Sequence, residues 1–257
     1  MPGRRLRRQL RLVPALLVPT ARAVGWAPPL AACGLSLGLL ALAVRPGLEL
    51  PAGRLVLWLR LAMILAVLGH AFLLDDPSEP TTEAVAGSLL LRRALRAALV
   101  LPVTAAWWAA AVWRVRAVHP GLPLPVAAYT LEVAALLAVT VALAAAGSHL
   151  APERRGGVVA APALLALASA AFLLPARVAL YAPPGSATWD AAHRRWALLL
   201  GLALAAFAVA SRDPAHRRLP SQLRGVGHGL ARSREARRKP TAQGSPDAAG
   251  RVERSVG

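Results

Sequence analysis

An ionisable side chain inside a long apolar stretch is the first place to look for chemistry, because leaving its charge in hydrocarbon is costly unless it is paired or hydrated. Three groups meet that description: Arg60, Glu132 and Arg177. Arg60 and Glu132 each lie near the start of an apolar run, roughly 8 Å in from the same edge at the helical rise of about 1.5 Å per residue. They can therefore pair, either to hold two helices together or to face a substrate. Arg177 approaches that edge from the other direction. It could join them or carry its guanidinium out to the head groups along its apolar stem.

The second constellation is acidic: Asp75-Asp76-Pro77-Ser78-Glu79-Pro80-Thr81-Thr82-Glu83, followed by Arg92, Arg93 and Arg96. Asp76 as N-cap, Pro77 at the first helical position and Glu79 just beyond resemble a capping box, with Pro80 tightening or breaking that turn. A helix starting near Thr82 and carrying Val85, Leu89 and the three arginines would lie at the interface and lead into the next apolar run, where a soluble partner could grip it. The alternative is a loop that only caps helices and carries charge. His70, separated by four residues from the acidic loop, has no second histidine or carboxylate at metal-ligand spacing and reads as a packed or interfacial histidine.

Catalytic motifs are missing from the sequence. It holds no HExxH, no GxSxG, no pair of embedded carboxylates and no GxxxxGK[ST] phosphate loop, and its single lysine is Lys239. Cys33 is the one cysteine. No metal, no cofactor and no catalytic residue is expected, the chain is not read as an enzyme, and any ATP-driven activity would use a partner's ATPase.

The elements that must position these residues are apolar helices. Of 257 residues 56% are hydrophobic and 16% charged, with a mean hydropathy of +0.51, against about 25% charged in a soluble domain. The composition is all-α and polytopic: about six transmembrane helices over 26–210, at 26–44, 55–74, 97–113, 126–150, 158–180 and 196–210. Breakers such as Arg45-Pro46-Gly47, His119-Pro120-Gly121 and Pro183-Pro184-Gly185 separate them. Gly34 and Gly38 form a GxxxG that would permit close helix approach.

The net charge of +18 sits at the ends. Residues 1–25 carry Arg4, Arg5, Arg7, Arg8, Arg11 and Arg22 and read as a basic interfacial helix, in preference to a signal peptide ending near Ala23. Residues 211–257, with eleven Lys/Arg against four acids, read as a disordered cytoplasmic tail. Both basic ends suit anionic lipids, and neither has the aromatic interleaving of a specific nucleic-acid binder. Fourteen arginines fall on the side of the termini, the 75–96 loop and the 151–157 loop, against six on the other. Positive charge therefore places both termini in the cytoplasm, with the chain in the plasma membrane, as an even number of spans requires.

His70 to Arg96, with its Leu73-Leu74-Asp75-Asp76-Pro77 centre, and Tyr181 to Trp196 resemble a group of small actinobacterial membrane proteins described as ABC transporter permease subunits. The likeness covers about residues 1–212. It implies the ABC-2 layout: an interfacial amino-terminal helix, six spans, a coupling helix between spans two and three, and a homodimer. It further implies that Asp75, Asp76, Glu79 and Glu83 dock on a separate ATPase subunit. A second hypothesis is a non-transporting membrane scaffold or regulatory subunit. Within Tyr181–Trp196, the spacing of Trp189, His193 and Trp196 places one aromatic face, which is expected at the outer membrane interface.

Overall fold

The computed structural model describes residues 20–22, 24–48, 50–75, 89–151 and 155–212. The chain divides after Arg212, and its second unit, Asp213–Gly257, lies outside the described residues, as do the basic residues 1–19 and the segment 76–88. The expected interfacial helix, save for the helical residues 20–22, and the expected disordered tail fall there.

The described residues form six α-helices and one short 3-10 segment: α1 (Ala27–Ala43), α2 (Ala52–Leu68) continuing as the 3-10 turns of Gly69–Leu74, α3 (Leu89–Val118), α4 (Val126–Gly147), α5 (Gly156–Phe172) and α6 (Trp189–Ala210). The protein is all-helical, as its composition requires. Ala, Leu and Arg are strong helix formers, and Pro28 and Pro29 open α1 where a missing N–H costs nothing. Gly47, at φ 82°, supplies the left-handed residue that reverses the chain between α1 and α2.

Four helical stretches are long and apolar enough to cross a membrane: Ala52–Leu74, α3, α4 and α6. Helices α1 and α5 are equally apolar and 17 residues long, which lies at the lower end of the length a span needs. Large apolar side chains point outward along them, among them Leu35, Leu42, Trp113, Leu198 and Leu202, a surface that water would not cover favourably.

Three helices differ from their apolar windows. α3, described from Leu89, carries Arg92, Arg93 and Arg96 in its first described turns, so they do not form a separate interfacial helix; its 30 residues to Val118 also take in Arg114 and Arg116. α6 starts at Trp189 and takes in Arg194 and Arg195. Arginine interrupts a hydropathy window without interrupting a helix. α5 stops at Phe172, well before the expected Leu180, because Pro175 disfavours helical geometry in the residue before it.

Contacts at the helix ends define the direction of each helix. Arg114 near the end of α3 donates to Val44 after α1, and Arg60, midway along α2, meets Glu132 in the second turn of α4 and Ala182 before α6. At the opposite edge Arg93 at the start of α3 reaches the ends of α4 and α6, and Asp75 after α2 reaches the start of α5. The six helices thus alternate up and down.

Close packing at this second edge depends on glycine. A Cβ on Gly156 would collide with the Ala144 carbonyl and stand 3.0 Å from the Ser148 nitrogen; one on Gly157 would lie 2.5 Å from Phe72 Cδ1 and 2.7 Å from Asp75 Oδ2. One on Gly147 would come within 2.8 Å of the Gly156 carbonyl, and one on Gly69 would strike the Pro28 carbonyl. Gly34 and Gly38 meet nothing within 4 Å among the described residues, so their GxxxG joins no described helices. Gly156→Ala should therefore cost about 1–3 kcal/mol of stability through overpacking, whereas Gly34→Ala should leave the thermal midpoint of the purified protein unchanged or slightly raised.

Candidate functional site

The expected Arg60–Glu132 pair forms, and it is buried. Arg60 Nε donates to Glu132 Oε2 at 3.0 Å and Nη2 to Oε1 at 2.8 Å, a two-pronged contact between α2 and α4. Nη2 also donates to the Ala182 carbonyl at 3.1 Å. Glu132 has no exposed surface and Arg60 is 5% exposed. An unpaired charge so placed would carry a desolvation penalty of several kcal/mol. The pair therefore ties together α2, α4 and the α5–α6 connection.

Aromatic rings enclose it. The Arg60 guanidinium carbon lies over the Tyr129 ring at 5.6 Å and over the Tyr181 ring at 4.9 Å. Tyr181 stacks on Phe172 at 4.3 Å and leans on Trp196 at 5.4 Å. Trp189 meets the edge of Tyr129 at 5.9 Å, and Trp196 Nε1 donates to the Leu180 carbonyl at 2.9 Å. His193 completes the ring of groups, with Nε2 3.4 Å from Glu132 Oε1. Its Nδ1 lies 2.9 Å from the Trp189 carbonyl, which can only accept, so Nδ1 is the donor in that bond.

This corrects the expectation for Trp189, His193 and Trp196. Their common face turns inward onto the ion pair, with Trp196 1% exposed, because the charged pair needs a dry, polarisable wall more than the interface needs anchors. The spacing was visible in the sequence; its partner was not. Arg177 does not join the site. It lies beyond the end of α5 with its side chain exposed, and only its carbonyl takes part, accepting from Arg195 Nη2 at 2.6 Å.

Of the four acids in the 75–83 run, Asp75 is described; Asp76, Glu79 and Glu83 lie outside the described residues. Asp75 Oδ1 accepts the Gly157 N–H at 2.9 Å, a carboxylate on the first turn of α5 supplied from another segment. Burial pushes its carboxyl above the ordinary range, partly offset by the Gly157 amide and the Arg155 charge.

At the same edge Arg93, 4% exposed, donates from Nη2 to Ser148 Oγ at 2.8 Å and from Nη1 to the Ala145 and Ala210 carbonyls at 3.4 Å each. His149 Nε2 also reaches the Ala210 carbonyl at 2.7 Å. His70 is fully buried, with Nδ1 on the Ala66 carbonyl and Nε2 on Thr104 Oγ1 at 3.0 Å, consistent with a packed histidine. Sequence reasoning missed the role of Arg93, which it set with Arg92 and Arg96 on an interfacial helix.

No protein-family model, curated protein or solved structure matches the chain.

The arrangement joins α2, α4 and the α5–α6 connection. Arg60→Leu or Glu132→Leu alone should each cost about 3–5 kcal/mol by stranding the other charge, whereas the double Leu variant should recover most of that loss; detergent-denaturation midpoints of the three proteins measure it.

Proposed function

We propose that the chain is the membrane-spanning, permease-like subunit of an ABC transporter, driven by a separate ATPase that docks on the cytoplasmic 75–96 segment. In this reading six helices cross the plasma membrane, both termini are cytoplasmic, the basic ends rest on anionic lipids, and two copies act together.

One observation carries the reading: the segment joining α2 to α3 is tied to the bundle at both of its ends. Asp75 holds the start of α5, and Arg93 holds the ends of α4 and α6. A push on this segment therefore reaches α2, α3, α4, α5 and α6 directly, which is the mechanical property a coupling segment needs. At the far edge Arg60 and Glu132 link α2 and α4 again, so a tilt at one edge has a firm pivot at the other.

A second reading, a membrane scaffold or regulatory subunit without transport, draws on the completeness of that same Arg60–Glu132 contact. A pair so fully bonded to protein has little left for a passing substrate.

Because Asp75 caps α5, the docking test should leave it intact. Asp76→Ala/Glu79→Ala/Glu83→Ala should abolish co-purification of an ATPase from native membranes in mild detergent while the wild type retains it; an ATPase absent from both preparations moves the conclusion to the scaffold.

A further inference from the structure

We infer that the groove between α1 and α2 is a binding site for one anionic phospholipid, with its phosphodiester between Arg45 and Arg54 and an acyl chain lying along the two helices.

The groove is about 630 Å³, within the range of small-molecule sites. Its walls are Leu39 and Leu42 from α1, Leu48 from the connection, and Leu57, Trp58 and Leu61 from α2. Leu42, Leu48 and Leu57 are each more than 40% exposed, an apolar channel that only a hydrocarbon occupant would fill. Arg45 and Arg54 also line it, at the end where α1 stops and α2 begins.

These two arginines differ from those described above. Arg60, Arg93, Arg114 and Arg195 all hold partners within the chain. Arg45 and Arg54 are exposed, and neither guanidinium has a partner among the described residues. Glu49 between them lies outside the described residues. The first turn of α2 holds no acid and its N-cap Pro51 makes no side-chain bond, so the partial positive charge of the helix end adds to that of Arg54. Two unpaired cations above an apolar channel select a ligand with a negative head and a long apolar body. A phosphodiester accepts from both guanidiniums at once.

Native mass spectrometry of the full-length protein in mild detergent, titrated with phosphatidylglycerol or phosphatidylcholine, tests this. Wild type should bind the anionic lipid more tightly by about twenty-fivefold, the product of two arginine contacts worth about fivefold each. Arg45→Gln/Arg54→Gln should bring the two lipids level, and Leu42→Trp, which fills the channel, should weaken both. Replacing Arg4, Arg5, Arg7, Arg8 and Arg11 by Gln should leave the preference in place. The proposal is overturned if wild type does not discriminate, if the Arg45/Arg54 variant still does, or if the preference follows the amino-terminal arginines instead. Should the double Gln variant fail to fold, Leu42→Trp decides: unchanged binding of both lipids rules the site out.

Discussion

In hydrocarbon every backbone carbonyl that a helix leaves open at its end must find a donor within the protein, and this chain meets that demand with arginine. Arg114 donates to Val44 at the end of α1, Arg93 to the ends of α4 and α6, and Arg195 to Ala179 and Arg177 beyond α5. The Arg114 and Arg93 guanidiniums also place positive charge at the negative ends of helix dipoles. The planar fork of arginine can serve two carbonyls from different helices at once, which a lysine ammonium does less well. The same contacts that satisfy the backbone therefore join neighbouring helices.

The Arg60–Glu132 pair applies that rule to a carboxylate. Both charges have lost their water, and the two-pronged contact, the Ala182 carbonyl and the faces of Tyr129 and Tyr181 replace it. Such a pair adds little net stability over a well-packed apolar alternative but penalises every arrangement in which the two helices part. It therefore makes the α2–α4 register specific. The glycines at 147, 156 and 157 do the corresponding work at the other edge by letting backbones touch.

The all-helical fold and the apolar character of its helices were legible in the sequence, because hydropathy over about twenty residues is a strong signal. So was the Arg60–Glu132 contact, since two lone charges at equal depth have few other partners. The beginning of α3 was not, because hydropathy treats Arg92 and Arg93 as the outside while helix geometry carries straight through them. The roles of Arg93 and Asp75 were hidden for a related reason. Asp75 binds a backbone amide and Arg93 two backbone carbonyls beside Ser148 Oγ, and backbone atoms look alike at every position, so residue type does not name those partners. The inward turn of Trp196 likewise depends on where Tyr181 and Leu180 are held, and a chain reversal at Gly185 decides that.

The proposed coupling requires that the Asp75 and Arg93 ties face the cytoplasm while the Arg60–Glu132 site and its α5–α6 connection face outward. Single-cysteine labelling in intact cells tests this directly. With Cys33 replaced by Ser, Ala187→Cys in the exposed α5–α6 connection should react with a membrane-impermeant maleimide. Ala248→Cys in the tail should react only after the cells are permeabilised. Reaction of both, or of Ala248→Cys alone, in intact cells would contradict the account.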